Sequence, residues 1–218
     1  MARIKGFLKK YENLGDRFFN EIIVGGEYKL ALNEKASVIV DVGALAGEFG
    51  VYMYKKARTI YALEPFSEHF EELETNIRDF NLKKIKAFKL ALSDYNGEGT
   101  LIIGGRGGHK LVAGGGSEKT EKVQIKTLAS FMNDEGIKHV DILKIDIELG
   151  EREVFGSDDF AEVADRINFI IGEHANNKTI DDLRNNKFFL VNTPRGFIAK
   201  RGLTPAQGKR WLSRLSLI

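Results

Sequence analysis

The stretch that most constrains this chain is VIVDVGALAG, residues 38–47. A β-branched apolar run ends in an acid, Asp41, and opens into a loop with glycines at 43 and 47. Such a strand, followed by a helical pattern, starts an open α/β sheet that binds its ligand beyond the carboxyl ends of the strands. What the loop lacks narrows the ligand. No Gly-Lys-Ser/Thr ending places a lysine and a hydroxyl on phosphates and magnesium, so this is not a nucleoside-triphosphate loop. A dinucleotide loop needs G-x-G-x-x-G, whose second glycine lets the backbone approach a pyrophosphate at a helix N-terminus. Here the spacing is G-x-x-x-G, and Leu45 stands where that glycine belongs.

The rest of the chain keeps the βαβ rhythm. GEFGVYMYKKA carries helical periodicity, TIYALEP is a buried strand stopped by Pro65, and SEHFEELETNIRDF places Phe70, Leu73, Ile77 and Phe80 three and four apart. Ser67 is the expected N-cap of that helix, and KIKAFKLAL is expected as one third strand. VDILKIDIE and RINFIIGEH supply two more, with a short helix through REVFG between them. TIDDLRNNK then reads as a helix, and FFLVN with GFIAKR as a terminal hairpin around Pro194. Strands alternating with helices predict a parallel, doubly wound sheet. Between the third and fourth strands the rhythm changes. GEGTLIIGG and EKVQIKTL are extended segments flanking residues 104–116, where seven of thirteen residues are glycine. That segment reads as either a mobile lid over the substrate or a plain disordered excursion.

Asp41 and Glu48 make the first loop acidic, which repels a pyrophosphate and suits a cationic ligand. S-adenosylmethionine, with its sulfonium and ammonium, fits. Glu64 ends the second strand some twenty residues on, where a carboxylate accepts hydrogen bonds from ribose hydroxyls. Taken alone, it signals an adenosine cofactor without choosing between a methyl donor and NAD.

DVGALAGEFG, ALEP, LETNI, LALSDYNG, LKIDIELGEREV and IIGEH, in that order, make the chain resemble the FkbM-type methyltransferases over roughly residues 36–200. The resemblance implies S-adenosylmethionine as cofactor and a seven-stranded, Rossmann-like α/β methyltransferase sheet with an antiparallel strand in its C-terminal hairpin. It also implies O-methylation of a hydroxyl on a small molecule or glycan. Carried over by position, it makes Asp41, Gly43 and Ala44 the methionine-side loop and Glu64 the ribose ligand. Ala91, Leu92, Ser93 and Asp94 border the adenine, and Asp146 lies beside the methionine moiety and the reacting methyl. Three positions depart from the family pattern. Leu45 replaces an asparagine, Leu149 a glycine, and Ala129 an aspartate.

Methyl transfer to a hydroxyl requires orientation, exclusion of water and removal of a proton. Lys144, Asp146 and Glu148 alternate along the fourth strand and are expected on one face if the extension holds. Glu173 and His174 end the fifth strand on the same rim, so Asp146, Glu173 and His174 are the candidate catalytic groups. His109 reaches the site only if the glycine-rich segment folds over it. No metal site is expected.

Composition bounds the remaining questions. The chain has 218 residues, no cysteine and a net charge of +2. The segment 195–218 holds six basic residues and no acid, which leaves the first 194 at −4. The expected organisation is an N-terminal helical extension over 1–35, a methyltransferase domain over 36–203 and a basic amphipathic tail over 204–218. No apolar run approaches the roughly 18 residues of a spanning helix, and the start lacks a secretory signal core, so the chain reads as cytoplasmic. The expected partner is a small-molecule or glycan acceptor rather than nucleic acid, since no Asn-Pro-Pro-Tyr-type motif is present. An NAD-dependent oxidoreductase and a non-catalytic methyltransferase-like binding protein are the competing readings.

Overall fold

The computed structural model describes residues 2–14, 28–34, 36–104, 109–112, 119–148, 150–173, 175–193 and 196–215. Helix α1 (Ala2–Leu14) precedes the sheet. The first βαβ units then run through β1 (Val38–Val42), α2 (Glu48–Met53), β2 (Thr59–Leu63), α3 (Ser67–Asp79) and β3 (Ile85–Phe88). A lateral excursion follows, made of β4 (Ala91–Leu92), β5 (Gly97–Ile102), β6 (Lys110–Val112) and β7 (Thr120–Lys126). Helix α4 (Leu128–Asp134) leads back into β8 (Val140–Ile145), α5 (Glu151–Phe155), α6 (Asp158–Val163) and β9 (Ile167–Gly172). The chain ends in α7 (Asn177–Asn185), β10 (Phe188–Thr193), β11 (Gly196–Arg201) and α8 (Pro205–Leu215).

Seven strands form the main sheet in the order β10-β11-β9-β8-β1-β2-β3. Strand β11 runs antiparallel to both β9 and β10, and the pairs among β9, β8, β1, β2 and β3 are parallel. This is the expected sheet with its antiparallel insertion. Helices cover both faces, so the central strands are apolar on both sides. Val40, Val42, Leu143 and Ile145 pack towards Phe131, Val154, Phe155 and Leu183. Ile39, Ile60, Ile142 and Phe169 pack the other way, against Phe7, Phe49, Met53 and Leu73. Successive side chains of a strand point to opposite faces, so Asp41 and Lys144 belong to this second layer.

Local pattern and structure part at three places. KIKAFKLAL is not one strand. The chain turns at Leu90, whose amide donates to Phe88 O at 3.1 Å, and Ala91–Leu92 pairs with β7 in a separate four-stranded sheet, order β4-β7-β5-β6. Inside the glycine-rich stretch, Lys110–Val112 is a strand paired with β5. Residues 105–108 and 113–118, on which the lid expectation chiefly rests, lie outside the described residues. Ser67 is not the cap of α3 either. Phe66 holds that position without a side-chain bond, and the Ser67 hydroxyl donates to Glu121 of β7. Two short helices, α4 and α6, were not expected. Each starts from a hydroxyl cap, Thr127 accepting from Ser130 N and Ser157 from Phe160 N.

Helix α1 lies on α3. Phe7 is fully buried with its ring edge-on to Phe80, and the Tyr11 hydroxyl donates to Glu72 at 2.6 Å. At the other end Trp211 of α8 packs edge-on to Phe169, while Lys209, Arg210 and Arg214 are exposed. Truncating Phe7 to Ala leaves a large void under α1. The expected cost is about 3–5 kcal/mol, read by urea unfolding of the full chain, and a cost below about 1 kcal/mol would mean that α1 is not docked there.

Candidate active site

Register brings the sequence-predicted residues to one rim. Val42 pairs with Leu63 and Ile145, and Ile145 with Gly172. The next residue of each strand is therefore Gly43, Glu64, Asp146 or Glu173, side by side at the carboxyl ends of four adjacent strands. His174 lies outside the described residues.

The loop after β1 is tied down by backbone. Gly43 N and Ala44 N both donate to Leu63 O at 3.0 Å, so these amides serve the loop itself. Gly43 has φ +74°, and a Cβ there would stand 2.0 Å from Asp146 O, so only glycine fits between the two strand ends. Leu45 N donates to Glu64 Oε2 at 2.9 Å and Phe66 N to Glu64 Oε1 at 3.0 Å. From α3, Asn76 Nδ2 donates to Ala46 O at 2.9 Å and holds the far side of the loop.

Beneath the loop runs a chain of charges. Asp41 and Lys144 are register partners and both are buried, at 0% and 2% exposure. Lys144 Nζ donates to Gly43 O at 2.6 Å and Val42 O at 3.2 Å, and stands 3.4 Å from Asp41 Oδ1 and 3.9 Å from Asp146 Oδ2. Burial pushes the Asp41 carboxyl up to about 6, against the downward pull of Lys144. Burial alone would lower Lys144, but Asp41 and Asp146 outweigh it and hold the ammonium above its ordinary value. At neutral pH both members are therefore charged. The expected shared face of Lys144, Asp146 and Glu148 ends early, because β8 stops at Ile145 and Glu148 turns to φ +54°.

The adenine-side residues divide. Ala91 packs in a small apolar cluster with Leu101, Val123, Ile125 and Phe66, which follows Glu64 by two residues in the chain. Leu92 enters the main core. Ser93 is nearly buried and its hydroxyl donates to Asp94 at 3.1 Å, whereas Asp94 is exposed. His109 does fold onto the rim, but at this edge rather than beside Asp146. Its ring centroid lies 4.3 Å from that of Phe66 and 5.1 Å from that of His69, and His69 Nδ1 stands 3.8 Å from Glu64 Oε1. Burial lowers His69, but the Glu64, Glu68 and Glu72 carboxylates hold it above its ordinary value; burial, then His69, pulls His109 down.

Sequence reading missed three residues. His69 was detectable, since it sits in the first turn of the helix that follows Glu64. Asn76 faces the loop only once α3 is docked. Tyr28, whose hydroxyl donates to Asp146 Oδ2 at 3.0 Å, carries no motif at all. Among the described residues, no three or more His, Asp or Glu side chains are grouped to hold a metal, and no helix is long and apolar enough to cross a membrane.

Sheet order and rim acids define a methyltransferase-type α/β domain, and the comparisons with known proteins agree. The sequence pattern of the methyltransferase FkbM domain matches residues 41–190. The chain belongs to that family. Among solved structures it is similar to methyltransferase FkbM from Methylobacillus flagellatus KT, with TM-score 0.51 and 13% identity over 76% of this chain and 44% of that one. It thus spans less than half of that protein. A methyltransferase from Geobacter sulfurreducens gives TM-score 0.51 and 14% identity over 91% and 90% of the two chains. TrmK of M. capricolum, solved with S-adenosyl-homocysteine, gives 0.50 and 10% over 87% and 80%. The structural likeness at these low identities shows a shared fold alone. No protein of curated function matches the sequence.

Two outcomes follow. Lys144→Met leaves Asp41 buried without its counter-charge, and should cost about 3–5 kcal/mol, part of which Asp41→Asn restores in the double variant; denaturant unfolding of the three variants checks this. Leu45 sits at φ +48°, a conformation asparagine adopts more readily. Leu45→Asn should raise stability by about 1 kcal/mol in thermal unfolding, and a loss instead would show that backbone strain at this position is not what limits stability.

Proposed function

We propose that this chain is an S-adenosylmethionine-dependent methyltransferase acting on a hydroxyl of a small molecule or glycan. The observation that carries the reading is Glu64: a carboxylate only 3% exposed at the end of β2, holding the loop after β1 through Leu45 N. Each of its oxygens accepts one amide hydrogen, which leaves lone pairs for the two ribose hydroxyls. Gly43, Ala44 and Asp41 form the methionine side, with Asp41 shaping the loop through Lys144. Phe66 and Ala91 border the adenine, with Ser93 and Asp94 beyond.

Bound there, the cofactor supplies an electrophilic methyl group on a cationic leaving group. The chain has to orient the acceptor oxygen behind that methyl and take its proton as the oxygen–carbon bond forms. Asp146 and Glu173, on neighbouring strand ends, are the described groups proposed to receive that proton, together with His174. Asp146 also faces the methionine end, so it both positions the donor and borders the reacting centre.

Calorimetric titration with S-adenosylmethionine, S-adenosylhomocysteine and NAD tests this. The two adenosyl-sulfur ligands should bind and NAD should not. Glu64→Ala should weaken S-adenosylhomocysteine by roughly 10- to 100-fold, the worth of hydrogen bonds to a charged acceptor. Binding of NAD alone would favour the oxidoreductase, and a folded chain that binds none of the three would sink the enzymatic reading.

A further inference from the structure

We infer that Tyr28 is a positioning residue of the methyl-transfer site, acting through Asp146, and that segment 28–34 is part of that site. The inference deepens the proposed function and rests on it.

Residues 28–34 lie before the first strand and outside the span that matches the family. The segment is a short 3-10 turn, Lys29–Asn33, between Tyr28 and Glu34. Its far end is clamped from three elements. Glu34 accepts from Trp211 Nε1 of α8 at 2.9 Å and from Lys200 Nζ of β11 at 2.5 Å. Lys56, just past α2, donates to Leu32 O and Glu34 O. Ala31 is fully buried between the two ends. The turn therefore works as a fixed arm, and Tyr28 is its tip.

That tip is held as firmly. Tyr28 is 3% exposed, and its ring meets Phe49 edge-on at 5.2 Å, with Lys144 Nζ 5.9 Å above it. A buried phenol hydroxyl needs an acceptor. Here the acceptor is Asp146 Oδ2, at 3.0 Å. Lys144 approaches the same oxygen. Both contacts fall on Oδ2, which leaves Oδ1 as the oxygen to meet the ammonium end of a donor. The Asp146 side chain is 26% exposed, so the carboxylate is not sealed in the core. A charge-assisted bond of this kind fixes the direction of the carboxylate as well as its place.

The test separates this role from plain scaffolding. Tyr28→Phe keeps the ring and its packing and removes only the hydroxyl, so its melting temperature should stay near that of the wild type. Calorimetry is run on wild type, Tyr28→Phe, Asp146→Asn and the double variant, with two probes. S-adenosylhomocysteine has the amino-acid end, and 5′-methylthioadenosine lacks it. Tyr28→Phe should weaken S-adenosylhomocysteine about tenfold and leave methylthioadenosine unchanged. The double variant should bind no worse than Asp146→Asn alone, because the hydroxyl acts through that carboxylate. Equal weakening of both probes, undiminished binding of S-adenosylhomocysteine, or losses that add in full would each overturn the inference while the proposed function stands. A wild-type chain that binds neither probe overturns both together.

Discussion

A lysine inside the central strand of a fully covered sheet is the interaction on which the site depends. An unpaired ammonium there would be too costly to keep charged. Lys144 is tolerated because the register of β8 on β1 sets Asp41 beside it, and because the carbonyls of Val42 and Gly43 accept its hydrogens. The geometry that stabilises the charge also pins the exit of β1 against the exit of β8, where Gly43 and Asp146 approach too closely for any side chain. The loop is then directed back to β2, where its next amide finds Glu64. One buried pair thus sets the spacing of three rim residues that no local signal fixes.

Segments with a strong period and a clear stop were legible in the sequence. β1, β2 and α3 appear where the apolar spacing, Pro65 and the length of the helical run place them. The hairpin of β10 and β11 was legible in the residue pattern, whereas its antiparallel insertion into the parallel sheet followed from the family resemblance. What was not legible was decided at long range. Nothing within KIKAFKLAL says that Ala91 and Leu92 leave the sheet; their pairing with Ile125 and Lys126 does. Ser67 has the right chemistry for a cap, but Glu121, fifty-four residues away, takes its hydroxyl. The rim acids were readable because strand ends are readable. Tyr28 was not, because a lone tyrosine in an unpatterned segment gives no hint of the carboxylate it meets.

His109 shows how a partly right expectation resolves. A histidine in a glycine-rich excursion reached the rim, but the pairing of β6 on β5 directed it to Phe66 and His69 instead of the Asp146 end. The excursion therefore touches the Glu64 edge of the rim. Burial lowers His109 and His69 alike, but the carboxylates beside His69 on α3 outweigh it there and raise that group, while His109 stays lowered by burial and by His69.

The place of β11 also bears on how the chain is made. It is the last strand in sequence, yet it lies between β9 and β10. Until residues 196–201 leave the ribosome, β9 presents an open row of amides and carbonyls, and β10 has no neighbour to join. The nascent chain must carry an unsatisfied edge of apolar strand from the emergence of β9 until β11 follows it, the kind of surface that pairs with other chains when it is left waiting. A rare-codon pause just before this strand would therefore lengthen the time β9 waits unpaired on that side, whereas the same pause after it would not.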